Sequence, residues 1–100
     1  MSVYDVYIPS DFEWDLAKSE RNRRELGLPF DFAIELFEGP IIEQADNRRD
    51  YGEHRMRAIG LTAGLILACV YTDRGPIRRI ISLRDANRRE RDAYRKKVFC

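Results

Sequence analysis

The sequence has little of what most metal sites, disulfide frameworks and membrane segments require. It contains one histidine, His54, and two cysteines, Cys69 within an apolar run and Cys100 at the last position. A single histidine excludes the usual multi-histidine metal sites, and two separated cysteines do not make a disulfide framework. No apolar run approaches the roughly 20 residues that a transmembrane helix needs, and no glycine-rich phosphate loop is present. We therefore expect no metal, no cofactor and no membrane contact.

The first ten residues do not have the pattern of a secretory signal, because they lack a basic start followed by an apolar stretch. They predict an N-terminal extension, or at most a short edge strand. A chain of 100 residues is long enough for one hydrophobic core and too short for two. We therefore expect a single domain over residues 1–100, located in the cytoplasm.

Positive charge is concentrated in the last third of the chain. Residues 74–97 contain ten Lys or Arg against three Asp or Glu, so this segment carries +7 while the whole chain carries +1. The rest of the chain therefore carries −6. Arginine outnumbers lysine fifteen to three, and a planar guanidinium binds phosphate through two hydrogen bonds where lysine offers a point charge. This segregation indicates either a solvated charged surface or an anionic ligand, most simply nucleic-acid phosphate.

Hydrophobic periodicity predicts an α+β fold in which two N-terminal helices are followed by a four-stranded antiparallel meander and a C-terminal helix. The predicted helices cover residues 15–26, 31–38 and 87–97, and the predicted strands cover 41–46, 53–61, 65–71 and 77–83, with a further short strand at 11–14. Asp15 is predicted to cap a helix or to be an acid of its first turn, a polar side chain of Asp85-Ala86-Asn87 to cap another helix, and Gly27 to end one. The nearly continuous apolar run at 65–71 predicts a central strand, buried on both faces.

Strand alternation predicts the faces on which the arginines lie. On the strand at 77–83, one face is predicted to carry Arg79, Ile81 and Leu83, and the other Arg78, Ile80, Ser82 and Arg84. Because one face must contact the core, an arginine there needs a charged partner or a wet cleft. On the nearby strand at 53–61, Arg55, Arg57 and Ile59 are predicted to lie on one side, and Met56 and Ala58 on the other. Guanidinium groups gathered on one sheet repel each other unless an anion lies between them, so the pattern predicts a phosphate site.

These residues resemble the BrnT family of bacterial toxins, which are ribonuclease partners in type II toxin–antitoxin pairs. The matching segments span about Phe12 to Tyr94 in the family's order. They are Phe12-Glu13-Trp14-Asp15 with Lys18 and Asn22, Gly27 with Phe30, Arg55 with Gly60, Tyr71-Thr72-Asp73-Arg74-Gly75, and Arg79-Ile80-Ile81-Ser82 with Arg84, Ala86, Arg89, Glu90 and Tyr94. The last segment is the most specific.

The resemblance implies a compact fold similar to RelE-type ribonucleases and cleavage of RNA without a metal. It also implies neutralisation by a small BrnA-type antitoxin with a ribbon-helix-helix domain, so that operator DNA is contacted only through the antitoxin. The mechanism we expect is attack of the RNA 2′-hydroxyl on the adjacent phosphate. That reaction needs a proton acceptor, a proton donor and positive charge at the phosphorane.

Site residues follow from this mechanism. The predicted catalytic residues are Arg55, Arg79 and Arg84 for phosphate binding, Lys18 as an auxiliary cation, and Glu53 or His54 for proton transfer. Arg57, Arg74, Trp14 and Ser82 are predicted to bind substrate, Trp14 by stacking on a base. For each arginine the alternative is a structural salt bridge, and for Trp14 it is core packing.

One position departs from the family pattern. Leu26 stands where the family commonly has a histidine just before the glycine that ends the first helix. A contact or proton transfer by that residue is therefore lost here, and His54 is the only histidine able to replace it. The alternative function is a catalytically inactive homologue that acts as an antitoxin-binding or nucleic-acid-binding protein.

Overall fold

Three helices and five strands form the part of the chain that the computed structural model describes, residues 11–48 and 52–99. In chain order they are β1 (Asp11–Glu13), α1 (Leu16–Leu26), α2 (Phe32–Glu38), β2 (Ile42–Ala45), β3 (Met56–Thr62), β4 (Leu65–Arg74), β5 (Ile77–Asp85) and α3 (Arg88–Val98). The predicted α+β class is confirmed, and each predicted helix and strand is present with ends that differ by a few residues. The predicted extension or edge strand at residues 1–10 lies outside the described residues.

The predicted sheet of four antiparallel strands is wrong, because the sheet has five strands and is mixed. Its order is β1-β5-β4-β3-β2, with β4 central as predicted. Strand β1 runs parallel to β5, where Asp11 lies opposite Ile77 and Glu13 opposite Arg79, and all other neighbours are antiparallel. The short strand at 11–14 was predicted, but its partner lies so far along the chain that no local pattern reveals the pairing.

The predicted caps are confirmed, with Asp15 capping α1 and Asn87 as the polar residue that caps α3. The Asp15 carboxylate accepts a hydrogen bond of 3.0 Å from the Lys18 backbone N–H at the start of α1. Asn87 forms a capping box with Glu90 at the start of α3, in which each side chain accepts a hydrogen bond from the other residue's backbone N–H. Gly27 ends α1 in the left-handed conformation, with φ of 72°.

The helices cover the two faces of the sheet unequally. The larger core cluster, packed under α2 and the segment that follows α1, consists of Leu28, Phe30, Ala33, Leu36, Ala58, Leu67, Cys69, Tyr71, Ile80 and Leu83. The smaller cluster, which joins α3 to the opposite face, consists of Ile59, Ala68, Ala86 and Tyr94. We call these two surfaces the α2 face and the α3 face. Gly60 permits the close packing of the α2 face, since a Cβ there would lie 2.8 Å from Leu36 Cγ.

Helix α1 is attached by polar contacts more than by apolar ones. Its only buried residue is Ser19, whose hydroxyl accepts a hydrogen bond of 2.9 Å from the Phe30 backbone N–H. The Asn22 side-chain amide donates to two backbone carbonyl oxygens, that of Leu28 at 2.6 Å and that of Leu83 on β5 at 2.9 Å. These bonds fix the helix to the sheet even though its surface is mostly charged.

A β-bulge changes the predicted faces of β5. Val70 lies opposite Ser82, but the next residue, Tyr71, lies opposite Ile80, so Ile81 is an extra residue on β5. Directly opposed residues of an antiparallel pair share a face. The extra residue therefore reverses the alternation beyond it.

The predicted separation of Arg79 from Arg84 is consequently wrong. The α3 face carries Arg79, Ser82 and Arg84, which lie opposite Thr72, Val70 and Ala68, whereas the α2 face carries Arg78, Ile80 and Leu83. The bulge thus brings two of the predicted phosphate-binding residues to the same side of the sheet.

Candidate functional site

Five arginines lie on the α3 face or at its margin, and we call them the arginine row. They are Arg55, Arg57, Arg74, Arg79 and Arg84. Arg57 lies opposite Val70 on the central strand, as Ser82 does on the other side. The structure therefore brings together five of the predicted site residues, contributed by β4, β5 and the chain that enters and forms β3.

The outer part of the row is held loosely by two carboxylates. Glu53 lies 3.3 Å from a guanidinium nitrogen of Arg55 and 3.3 Å from one of Arg74, and Glu13 lies 3.9 Å from Arg74 and 3.4 Å from Arg79. These side chains are partly exposed, with 23% to 54% of their surface accessible. Ion pairs of this exposure contribute about 0–1 kcal/mol each, so an incoming anion can compete with the carboxylates.

The inner part of the row is held tightly by one buried carboxylate. Glu90, which is 8% exposed, accepts hydrogen bonds of 2.7 and 2.9 Å from the two terminal nitrogens of Arg84 and lies 3.5 Å from Arg57 Nε. Burial alone would raise the pKa of Glu90, but the Arg84 hydrogen bonds, the Asn87 backbone N–H and the charge of Arg57 lower it overall. Glu90 is therefore a fixed negative charge that orients two arginines, and it also forms the capping box with Asn87 at the start of α3.

The charge state of Glu53 limits the proton transfer it can perform. Partial burial acts to raise the pKa of Glu53, and the hydrogen bonds from Arg74 and Arg55 outweigh it and lower that pKa. An ionised carboxylate at neutral pH accepts a proton and has none to donate. Glu53 is therefore placed for the acceptor role only.

Lys18 lies in the first turn of α1. The backbone hydrogen bond from Lys18 lowers the pKa of the Asp15 carboxyl, and the charges of Lys18 and Arg79 lower it further. Both cations therefore flank the same cap residue. The auxiliary role of Lys18 stays a prediction.

Three other predicted residues lie differently. The exposed His54 side chain places Nε2 3.1 Å from the sulfur of Met56, whose side chain packs against the core of the α2 face. Trp14 packs against that same core, as its structural alternative predicts. Ser82 is half-buried on the α3 face, among the arginines. The structure thus brings Ser82 to the arginine row, and neither the imidazole of His54 nor the indole of Trp14.

Arg78 is the arginine of β5 that faces the core, and it is paired with Asp73. It is 7% exposed, donates hydrogen bonds of 2.8 and 3.0 Å to Asp73, and lies 4.6 Å and 4.3 Å from the ring centres of Phe37 and Tyr71. The Tyr71 hydroxyl in turn donates a hydrogen bond to the Glu43 carboxylate. The prediction that a core-facing arginine needs a charged partner is confirmed, and Arg78 belongs to the structural interior.

Two carboxylates of the site were missed by sequence reasoning. The Asn87-x-x-Glu90 spacing is a capping-box signal, so the position of Glu90 was readable although its contact with Arg84 and Arg57 was not. Glu13 gave no signal, because its contact with Arg79 depends on the parallel pairing of β1 with β5. Glu13 contacts Arg74 and Arg79, and Glu90 contacts Arg57 and Arg84.

Within residues 11–48 and 52–99, no group of three or more His, Cys, Asp or Glu side chains is arranged to hold a metal ion. No helix in the described part of the chain is long and apolar enough to cross a membrane.

One protein-family model matches the chain, over residues 14–90. Its description is "Ribonuclease toxin, BrnT, of type II toxin-antitoxin system". The matched segment runs from the entry to α1 through the first turn of α3 and contains every arginine of the row and Glu90. No curated protein matches the chain.

Proposed function

Because the chain belongs to the BrnT family of ribonuclease toxins of type II toxin–antitoxin systems, we propose that it is a metal-independent endoribonuclease that inhibits translation and growth. In the proposed reaction the RNA 2′-oxygen forms a bond to the adjacent phosphorus as the bond to the 5′-oxygen breaks. The 2′-hydroxyl proton passes to a base and the leaving 5′-oxygen gains a proton. The products are a cyclic 2′,3′-phosphate and a free 5′-hydroxyl.

The arginine row is the observation that supports this proposal most. Phosphoryl transfer through a phosphorane needs fixed positive charge next to the equatorial oxygens. We assign Arg79 and Arg55 to the scissile phosphate, since their carboxylate contacts are long and partly exposed. Arg74 and Lys18 are assigned to neighbouring phosphates, and Ser82 to a hydrogen bond with the substrate.

Arg84 and Arg57 act from the inner end of the row in this proposal. Glu90 fixes their orientation, so they present charge without the freedom to rearrange. A positioned charge that costs no reorganisation during the reaction stabilises a transition state better than a mobile one. Arg84 is therefore proposed to stabilise the phosphorane, and Arg57 to bind the adjacent nucleotide.

We propose Glu53 as the proton acceptor, with His54 as the alternative. Glu53 lies within the row between Arg55 and Arg74, whereas the His54 ring lies against Met56. Replacing Glu53 by Gln is expected to lower kcat about 100-fold, the lower end of what a general base contributes, without weakening RNA binding, because the lost carboxylate competes with phosphate for Arg55 and Arg74. His54→Ala is expected to lower kcat less than threefold. The reverse order would assign the proton transfer to His54.

The proposed partner is a BrnA-type ribbon-helix-helix antitoxin that covers the arginine row, and the pair is proposed to contact operator DNA only through that antitoxin. A partner there both neutralises charge and blocks substrate. The proposed compartment is the cytoplasm, where RNA and the antitoxin are both present. A complex in which the row remains open to solvent would contradict this part of the proposal.

The direct test is cleavage of RNA by the purified chain in the presence of EDTA, with the ends of the products identified. We expect cyclic-phosphate and 5′-hydroxyl ends, and a loss of at least about 100-fold in kcat/KM for Arg79→Ala. Arg88→Ala is the matched control, since Arg88 is 91% exposed and lies 4.0 Å from Asp92 on the same helix as Glu90. Cleavage that EDTA abolishes would contradict metal independence.

The alternative of a catalytically inactive homologue rests on two observations. Leu26 stands where the family commonly has a histidine, and each arginine of the row contacts a glutamate. An inactive homologue would bind the antitoxin without cutting RNA. Expression of the chain alone separates the two, because the ribonuclease stops growth and the inactive protein does not.

A further inference from the structure

A groove lies beside the arginine row, between the sheet edge and α3, and we call it the edge groove. Its volume is about 420 Å3, and it is lined by Ile42, Glu43, Gln44, Arg57, Ile59, Arg89, Glu90 and Ala93. Ile42 lies opposite Ile59 and Gln44 opposite Arg57, so these four residues form the floor on the α3 face. Arg89 and Ala93 are four residues apart on α3 and form one wall. The volume lies within the 300–1,000 Å3 range of small-ligand sites.

Two polar side chains of the groove, those of Gln44 and Arg89, are not paired within the described part of the chain, whereas Glu43, Arg57 and Glu90 are. Among the described residues, neither the side-chain amide of Gln44 nor the guanidinium of Arg89 has a hydrogen-bond or ion-pair partner. Both residues are exposed. The arginines of the row differ, since each contacts a carboxylate. Gln44 and Arg89 therefore have donors and an acceptor available for a ligand.

The shape and chemistry of the groove fit a flat heterocycle attached to a phosphate chain. The two isoleucines of the floor, Ile42 and Ile59, can accept the face of a ring. Arginine side chains also stack on bases in many RNA complexes. A glutamine amide presents one donor and one acceptor side by side, which matches the edge of a nucleobase and of adenine best. Arg57 belongs to both the groove and the row, so an RNA strand bound along the row passes the groove without a break.

We propose that the edge groove is a nucleobase subsite in which Gln44 reads the base edge and Arg89 holds the flanking phosphate. This inference rests on the proposed ribonuclease function and adds a source of sequence preference to it. The Trp14 indole packs against the core of the α2 face, which leaves base recognition to other residues. Neither Gln44 nor Arg89 is assigned to the chemical step.

The test measures affinity separately from cleavage. The probes are four fluorescein-labelled pentanucleotides that differ only in the central base and carry 2′-fluoro groups, which cannot attack the phosphate. We expect the native chain to bind one of the four, adenine first, about tenfold more tightly than the weakest. Gln44→Leu, which keeps the side-chain volume, is expected to reduce that difference to about twofold or less.

Arg89→Ala is expected to weaken all four probes about three- to tenfold and to reduce the salt dependence by about one phosphate contact, while Arg88→Ala changes neither. Equal affinity of the native chain for the four probes would overturn the proposal. So would a base preference that survives Gln44→Leu. Loss of antitoxin affinity in both variants, with RNA binding unchanged, would also overturn it and assign the groove to a protein.

Unmodified RNA of the same sequences is cut or left intact in a parallel reaction. An intact substrate contradicts the proposed function, whereas an unchanged base preference in Gln44→Leu contradicts the subsite alone. The two failures are therefore distinguishable.

Discussion

Replacing Glu90 by Gln is expected to destabilise the protein through loss of one buried charge. The carboxylate is 8% exposed and is shared by Arg84, at 2.7 and 2.9 Å, and Arg57, at 3.5 Å. Glutamine keeps the shape and can still accept from the Asn87 backbone, but it leaves two guanidinium groups beside each other without a counter-charge. The variant therefore removes the ionic contact with little change in packing.

The expected magnitude is about 2 kcal/mol. Breaking a fully buried ion pair costs about 3–5 kcal/mol, and the value here is lower because the Arg84 side chain is 40% exposed. In a domain of this size such a loss lowers Tm by about 10 °C. Urea unfolding followed by circular dichroism measures the free energy of unfolding directly.

The loss of unfolding free energy in Glu90→Gln is also expected to depend on pH. The folded-state pKa of Glu90 lies below its ordinary value of 4.5, so the carboxylate stabilises the fold above that value. The contribution is lost as the pH falls through the folded-state pKa. The difference in unfolding free energy between native chain and Glu90→Gln should be constant above about pH 5.5 and shrink below about pH 4.

A double-mutant cycle with Arg84→Ala supplies the control. If Glu90 acts through Arg84, the two substitutions are expected to couple by about 1–2 kcal/mol. A loss of unfolding free energy below about 0.5 kcal/mol for Glu90→Gln at pH 7, or a loss that grows on acidification, would refute the reasoning.

Three further predictions concern the interior. Gly60→Ala is expected to lower the free energy of unfolding by about 1–3 kcal/mol in urea titrations, because the added Cβ would lie 2.8 Å from Leu36 Cγ; a neutral result would show that the leucine moves at no cost. Arg78→Lys is expected to lower the free energy of unfolding by about 2 kcal/mol in the same titration, since lysine cannot make the paired hydrogen bonds and ring contacts of a guanidinium. A loss under about 0.5 kcal/mol would contradict the structural role of Arg78. Burial raises the pKa of the Cys69 thiol to about 12, so in a Cys100→Ser chain a thiol reagent at pH 8 is expected to react only after unfolding. Rapid labelling of that folded chain would contradict the buried position.

The fold was predictable where the signal was local. Helix caps at Asp15 and Asn87 and the apolar run of β4 depend on neighbouring residues, and they are confirmed. The pairing of β1 with β5 joins residues 11–13 to residues 77–79 and has no local signal. Its omission explains both the missing fifth strand and the missed role of Glu13.

The candidate site was predictable by residue type and less so by geometry. Strand alternation correctly put Arg57 with Ile59 on one face and Met56 with Ala58 on the other. It failed on β5, because one extra residue at Ile81 reverses the faces and a bulge has no dependable sequence signature. The contacts to Glu53, Glu13 and Glu90 could not be derived from charge counts, since they depend on which elements the fold brings together.

The row's binding of phosphate is tested most directly by the salt dependence of RNA affinity. Each phosphate contact on a single strand contributes about 0.7 to the slope of log K against log salt concentration. With a 2′-fluoro RNA, Arg79→Ala is expected to reduce the slope by about 0.7, and Arg79→Ala with Arg55→Ala by about 1.4, while Arg88→Ala leaves it unchanged. Equal slopes for all four proteins would show that the carboxylates hold these arginines permanently and that the row does not contact phosphate.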